Sequence, residues 1–149
     1  MIKEFEFYHG VVFTKLIHGS ESYLSIKPYP TEGNASYIIN ENTGIYIKHS
    51  ARRMSPWQFS FHKDHQNEIL QMKSNLEHVF LVLVCGEDGI VTLNYNELKI
   101  LLDDIHGEME WIRAARSRNQ EYTVNGSDGG LVRKIGKSDF PKKVLAVLR

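Results

Sequence analysis

The feature that most constrains the fold is an uninterrupted apolar segment near the middle of the chain. Residues Phe80 to Val84 carry no polar side chain. A strand of this kind is typical of the middle of a sheet that is covered on both faces. The longest aliphatic run, Val79 to Cys85, is far too short to cross a bilayer. The segment therefore predicts a layered domain around a central sheet, and we expect no membrane partner.

Segments with helical or alternating patterns surround this strand in a definite order. Helices are predicted over residues 4–18, 63–76 and 94–106, and strands over 22–27, 36–40, 44–48, 57–61, 80–84, 90–93, 111–116, 120–124 and 131–135. Meander strands between helices predict an α/β fold, a single-domain sandwich of α+β type with one mixed central sheet. Its core is a helix, a three-strand meander, a helix and a strand, followed by a basic, β-rich C-terminal end. The 149 residues fit one domain, and we expect the tail from Lys137 to be loosely held.

The helix predicted over residues 94–106 has the clearest signals. Asn94 and Glu97 have the spacing of a capping box. An inner apolar stripe, which ends at Ile105, recurs at helical spacing. We therefore expect Ile105 to be buried and the helix to reach His106.

The composition places the chain in a broad class. Its apolar fraction of 42% and charged fraction of 24% are typical of a soluble globular protein. Cys85 is the single cysteine, which excludes an intrachain disulfide and fits a reducing compartment. The first residues carry acids where a secretory signal would carry bases and an apolar run. We expect a cytoplasmic protein.

The net charge of zero conceals an uneven distribution of charge along the chain. Residues 1–110 carry 9 basic and 15 acidic side chains, whereas residues 111–149 carry 9 basic and 3 acidic ones. A basic end can bind nucleic acid or an acidic partner. It can equally complement an acidic helix of its own fold. The sequence leaves both interpretations open.

Lys48 is the first candidate for chemistry. It closes the predicted strand over residues 44–48, next to His49 and close to Arg52 and Arg53. A lysine fixed on a rigid strand can stabilise a developing anion or orient a water. The alternative is a lysine at a strand end that covers apolar surface with its stem and keeps its charge in water.

The element order around Lys48 resembles the core of the restriction-endonuclease-like superfamily, which is named for its PD-(D/E)XK motif. The resemblance covers roughly residues 4–84. In that superfamily an aspartate begins the second core strand and an acid stands two residues before the lysine of the third, and together they hold Mg²⁺. Here only the lysine of Tyr46-Ile47-Lys48 matches, because Tyr46 stands in place of the acid and residues 34–40 contain no aspartate.

The resemblance implies a catalytic role for Lys48 and, where cleavage persists, Mg²⁺ as the cofactor. The metal would then need Glu41 from the preceding turn, or Glu4 or Glu6 from the first helix, where the superfamily often has an acid. The resemblance also admits a diverged member that has lost metal-dependent cleavage. The question of enzyme activity stays open at this point.

Arginines interleaved with aromatic residues suggest contacts with nucleic acid. We expect Arg52, Arg53, Arg116 and Arg118 to contact the phosphate backbone, since arginine with exposed aromatics serves charge neutralisation and base stacking. Trp57, Phe59 and Phe61 alternate with polar residues and are expected in the core. Arg113 shares a strand face with Trp111, whereas Arg116 and Arg118 fall on the opposite face.

A metal centre is the weaker interpretation of the remaining polar clusters. His62, Asp64, His65 and Glu68 could ligate zinc or iron, yet no second cluster at a recognised spacing completes a site. Polar residues at a helix start are also ordinary caps. Asp103, Asp104 and His106 fit a solvated helix end, so we assign no metal ligands from the sequence.

Two functions therefore remain. The first is a nucleic-acid-associated protein, a diverged nuclease-like domain or its non-cleaving relative, with DNA and RNA not distinguished. The alternative is a protein-interaction module, for example a homodimer in which the basic end docks on the acids of residues 103–110 of a second copy. Small-molecule binding has no specific residue in its favour.

Overall fold

The computed structural model describes residues 1–105 and 109–148. Its helices are α1 (Glu4–Gly19), α2 (Lys63–Asn75), α3 (Tyr95–Leu101) and α4 (Asp139–Leu145). Its strands are β1 (Ile26–Pro28), β2 (Ser36–Ile39), β3 (Thr43–Ser50), β4 (Trp57–His62), β5 (His78–Cys85), β6 (Gly89–Asn94), β7 (Met109–Ala115), β8 (Thr123–Gly126) and β9 (Gly129–Gly130). The expectation of a mixed α/β protein is confirmed.

The apolar strand β5 lies inside a five-stranded sheet, as its sequence predicts. The strand order is β1-β2-β3-β5-β6. β5 runs parallel to β3, with Lys48 opposite Leu83, and antiparallel to β6. The helix α2 lies between β3 and β5 in the chain, which gives the long crossover that a parallel pair needs. The first sheet therefore has a mixed order around a fully apolar strand.

A second sheet is present where the sequence suggested one central sheet only. It has four strands in the order β4-β7-β8-β9. Trp57, Phe59 and Phe61 of β4 are buried, and Ile112 and Ala114 of β7 share their layer. The apolar faces of β4 and β7 therefore pack against the first sheet, and the two strands do not join it. The expectation of a single central sheet was wrong.

Both faces of the first sheet are covered. On one face, Val12 and Leu16 of α1 and Phe140 and Val144 of α4 pack against the aliphatic residues of β3 and β5. On the other face, the second sheet packs together with Ile69 and Met72 of α2 and with Leu98 and Leu101 of α3. The side chains of β3 therefore alternate between two different apolar layers. None of the described helices combines the length and the apolar character that crossing a membrane requires.

The helix α3 ends earlier than its sequence pattern predicts. Its start is as expected, since Asn94 accepts a hydrogen bond from the Glu97 amide at 2.8 Å. The Leu101 carbonyl, however, accepts a hydrogen bond from the Asp128 amide at 3.0 Å, so the turn between β8 and β9 replaces the next helical turn. Ile105 is 82% exposed, not buried, and His106 lies outside the described residues.

The C-terminal region also differs from expectation. The tail after Lys137 forms α4, with Phe140 and Val144 buried, so it is packed and not loose. The strand expected over 131–135 is reduced to one bridge between Tyr122 and Ile135. At the other end of the chain, β1 includes Pro28, which an edge strand tolerates because its outer side needs no backbone donor.

Candidate functional site

Lys48 lies inside β3 and not at its end, because the strand continues to Ser50. Its side chain enters the layer between the two sheets. The ammonium donates to the Ser60 carbonyl of β4 at 2.5 Å and lies 3.2 Å from Nδ1 of His65, near the start of α2. It is also 4.7 Å from the centroid of the Phe61 ring. Lys48 is therefore held at one place between β3, β4 and α2.

The partner histidine is neutral in this arrangement. Nδ1 of His65 accepts a hydrogen bond from the His62 amide at 3.2 Å, and the Lys48 ammonium approaches the same nitrogen. Because two donors converge on Nδ1, the ring proton belongs on Nε2. Burial, followed by the charges of Lys48 and His62, lowers the pKa of His65. His65 thus acts as an acceptor that orients Lys48.

Lys48 opens onto a cleft whose walls favour an anion. The cleft has a volume of about 350 Å³ and is bordered by Asn34, Gln58 and Ser60 together with the histidines at positions 9, 49, 62 and 65. Among the described residues that border it, none carries a carboxylate. Burial lowers the pKa of Lys48 to about 8, so at neutral pH the amine remains mainly protonated. The third ammonium proton is available to a ligand in the cleft.

Tyr46 occupies the position of the motif acid and has no metal-binding character here. It is buried, and burial followed by the charge of Glu68 raises its pKa, so the phenol stays neutral. Ser36, opposite Tyr46 in register, donates to Glu68, and Thr31 donates to the same carboxylate at 2.9 Å. The carboxylate on this side of the sheet therefore comes from α2. The sequence hinted at Glu68 only through its position one helical turn after His65.

The other acids expected near Lys48 lie elsewhere. Glu41 sits in the turn before β3 with φ of 66°, and the six residues between it and Lys48 separate the two by roughly 20 Å of extended chain. Glu6 is exposed and accepts a hydrogen bond from the Lys3 amide at 2.9 Å, so it caps its own helix. Glu4 contacts His49 at 2.9 Å, on the opposite face of the sheet from Lys48. Neither Glu41 nor Glu6 is brought to Lys48.

Arg116 is committed to a structural ion pair, contrary to its expected role as a backbone contact. Its guanidinium donates to both carboxylate oxygens of Asp88, at 2.8 and 2.6 Å. Tyr122, which is fully buried, donates its hydroxyl to the same carboxylate at 2.5 Å. The hydrogen bonds from Arg116, then Tyr122, hold the pKa of Asp88 at about 2 against the effect of burial.

The other three candidate arginines, Arg52, Arg53 and Arg118, are exposed. The Arg52 carbonyl accepts a hydrogen bond from the Trp57 indole at 2.8 Å, which fixes the loop after β3. The Arg116 amide donates to Ser55 at 2.9 Å, which brings the segment that contains Arg118 to the same loop. Arg52 and Arg53 therefore follow the end of β3 at Ser50, Arg118 lies two residues after Arg116, and all three side chains are exposed.

Part of the basic C-terminal end complements the protein's own acids. Lys143 lies 3.0 Å from Glu97 of α3, and Lys137 lies 3.7 Å from Asp88. With the Arg116 pair, these contacts favour the intrachain interpretation of the charge asymmetry. Of the acids expected to receive a second copy, Glu110 is buried and Glu108 lies outside the described residues.

One group of possible metal ligands was not found from the sequence. Carboxylate oxygens of Asp103, Glu110 and Asp128 lie within 4.8 Å of one another, and these residue types suit hard cations. Their positions are too far apart in the chain for a spacing motif, and the early end of α3 brings them together. The sequence candidates His62 and His65 instead serve the start of α2 and Lys48.

The geometry thus points to a lysine-centred anion site without carboxylates on its walls, on a strand that two exposed arginines follow in the chain. Comparisons with known proteins assign it no family: no protein-family model, curated protein or solved structure matches the chain.

Proposed function

We propose that this protein binds nucleic acid as a diverged, nuclease-like domain that has lost metal-dependent cleavage. The observation that carries the proposal is the Lys48 ammonium, oriented by the Ser60 carbonyl and His65 toward a cleft without bordering carboxylates. Such a cleft attracts a phosphate and offers no bordering carboxylate for Mg²⁺. A phosphodiester bound there would be contacted by the lysine and left intact.

The order of elements supports the nuclease-like part of the proposal. The chain begins with a helix and a three-strand meander. After β4, which belongs to the second sheet, come the crossover helix α2 and the strand β5, which is parallel to β3. This is the order on which the resemblance to the restriction-endonuclease-like superfamily rests, with Lys48 on the third strand. The buried Tyr46 in place of the motif acid and the lack of an aspartate in residues 34–40 favour binding over cleavage.

The exposed arginines support binding to a polyanion longer than one phosphate. Arg52 and Arg53 lie in the loop after β3, Arg118 lies in the segment after β7 that contacts this loop through Arg116 and Ser55, and all three are exposed. Arg116 does not belong to this surface, because its guanidinium donates its hydrogen bonds to Asp88. Backbone phosphates neutralised by several such cations give affinities that fall steeply with salt.

Fluorescence anisotropy with labelled oligonucleotides at 50 and 200 mM salt tests the binding. We expect Lys48→Ala to weaken binding and to reduce the salt slope by about one. Lys27→Ala is the matched control, since Lys27 is exposed on the edge strand β1. Salt-independent binding, or equal affinities of the two variants, would refute the assignment of Lys48.

A cleavage assay tests the loss of activity. Duplex and single-stranded substrates are incubated with the protein and either Mg²⁺ or EDTA, and we expect both substrates to remain uncut in both conditions. Cleavage that requires Mg²⁺ and disappears in Lys48→Ala would show that the domain is an active nuclease and would overturn this half of the proposal.

Self-association is a second candidate, favoured by one observation. Phe7 and Val11 of α1 are exposed apolar residues beside a cleft of about 570 Å³ next to the β5–β6 turn. Such a patch can mark an interface between copies. Size-exclusion chromatography with light scattering decides: a monomer at high concentration rules this candidate out.

A further inference from the structure

An exposed tryptophan stands on the outer face of the second sheet. Along β7, Glu110, Ile112 and Ala114 point inward, so Trp111 and Arg113 point outward. Trp111 is 37% exposed. Its backbone is fixed by Ser127, which accepts from the Trp111 amide at 2.8 Å and donates its own amide to the Trp111 carbonyl at 3.0 Å. A large ring is thus presented to solvent on a rigid strand.

The neighbours of this ring leave room for a ligand and carry no negative charge. Ser60 is opposite Trp111 in register, and Gln58 is opposite Arg113. Ser60 has a small side chain, and more than a third of the Trp111 surface is exposed. Of the described outward-facing positions on β4 and β7, none is acidic. Arg113 stands two residues from Trp111 on the same face, roughly 7 Å along the strand.

The tryptophan also adjoins the Lys48 cleft. Ser60, its cross-strand neighbour, supplies the carbonyl that accepts from the Lys48 ammonium. Gln58 and His62, on either side of Ser60 along the outer face of β4, border the same cleft. The Trp111 ring and the Lys48 ammonium are therefore both next to Ser60, one across the strand pair and the other at its carbonyl.

We infer that the nucleic acid bound by this protein is single-stranded, with a base stacked on Trp111, a phosphate at Lys48 and a second phosphate at Arg113. This inference rests on the proposed function. Bases in a duplex are stacked on one another and present no free ring face, whereas an unpaired base can lie flat on an indole. Every base has such a face, so we expect little sequence preference.

The carboxylates of Asp103, Glu110 and Asp128 limit the path that the bound nucleic acid can take over the second sheet. Glu110 precedes Trp111 in the chain but points inward, and it groups with Asp103 and Asp128 at the Met109 end of β7. Phosphates would be repelled there. The nucleic acid is therefore expected to run from Arg113 past Trp111 into the Lys48 cleft, and not over the β8–β9 turn.

The test compares two probes on the same full-length protein: a fluorescein-labelled (dT)15 and an abasic backbone of equal length and charge. We expect the wild type to bind (dT)15 at least about fivefold more tightly than the abasic chain. Trp111→Ala should reduce (dT)15 affinity to the abasic level, while Trp111→Phe retains most of it. Val132→Ala removes an exposed apolar side chain elsewhere and should change nothing.

The outcomes separate this inference from the proposal beneath it. Equal affinity of the wild type for the two probes, with salt dependence and Lys48 dependence intact, would overturn the stacking and leave the proposed function standing. A duplex bound as tightly as (dT)15 would do the same. Failure of every probe to bind at 50 mM salt would overturn both. The comparison of probes needs only the wild type, so it decides even where a variant fails to fold.

Discussion

The ammonium of Lys48 lies 3.2 Å from Nδ1 of His65, and the His62 amide donates to the same nitrogen. Both donors require an unprotonated Nδ1, so a positive charge on His65 would break the arrangement. The burial that lowers the pKa of His65 also lowers that of Lys48, to about 8. The pair is therefore a cation and a neutral acceptor at neutral pH.

This relationship predicts a pH dependence of nucleic-acid binding. Lys48 carries its charge below pH 8 and loses it as the pH rises through that value, since its pKa in the folded protein is lowered from 10.5 to about 8. We expect affinity to fall between pH 7 and pH 9, while phosphates keep their charge. Anisotropy titrations across this range measure it.

The matched control for the pH dependence is Lys48→Arg. A guanidinium stays protonated throughout this range, so the affinity of the variant should stay flat up to pH 9. If the wild type and Lys48→Arg lose affinity in parallel, some other group titrates and the assignment of Lys48 is wrong.

If Lys48 serves binding, its replacement should not lower the stability of the fold. Lys48→Met retains the packing against Phe61 and removes a partly desolvated charge. The lost hydrogen bond to Ser60 offsets part of that gain. We expect an unfolding free energy in urea that is unchanged or higher by up to about 1 kcal/mol, with weakened binding. A loss of more than about 1 kcal/mol would show that Lys48 has a structural role instead.

Arg116 is expected to behave in the opposite way. Arg116→Ala would leave the carboxylate of Asp88, to which the buried Tyr122 also donates, without its main cation. Loss of charge-assisted hydrogen bonds at a largely covered pair costs about 2–3 kcal/mol. Urea denaturation measures the cost, and the exposed Arg118→Ala is the control, with an expected change near zero.

The pH dependence of the unfolding free energy provides a second test of the Arg116–Asp88 ion pair. The pKa of Asp88 is lowered from 3.8 to about 2 in the folded protein, so its stabilising effect is present above pH 4. The effect is lost as the pH falls from about 4 to about 2. The difference in stability between the wild type and Asp88→Asn should shrink over that window, and a constant difference would contradict the ion pair.

The sequence predicted the elements of the fold better than their contacts. The apolar β5, the aromatic face of β4 and the Asn94 cap follow from local patterns, and the structure contains all three. The place of β4 in a second sheet does not follow from a local pattern. Alternation identifies the buried face of a strand, but it does not show which surface covers that face. Likewise, the early end of α3 depends on the amide of Asp128, which is distant in the chain.

The same distinction applies to the candidate site. Position on the third meander strand identified Lys48, whereas its partners Ser60 and His65 come from another sheet and a helix. Arg116 looked like a free cation because its partner Asp88 precedes it by 28 residues. A sequence shows which side chains are cationic. Whether such a side chain is free to bind a ligand depends on which distant segments of the chain pack against it.

The packed C-terminal helix supplies the last prediction. Phe140 of α4 is buried in the layer that α1 shares with the first sheet, in a region whose basic composition suggested a loose tail. Phe140→Ala would leave a cavity there and is expected to lower the unfolding free energy by about 3–5 kcal/mol. Val132→Ala, at a fully exposed position outside the helix, should change it by less than about 0.5 kcal/mol. Urea denaturation of the two variants beside the wild type measures both effects. Since a loose tail contributes no packing, equal stabilities of the two variants would mean that α4 is not docked in solution, whereas a large difference would show that the domain depends on its C-terminal residues.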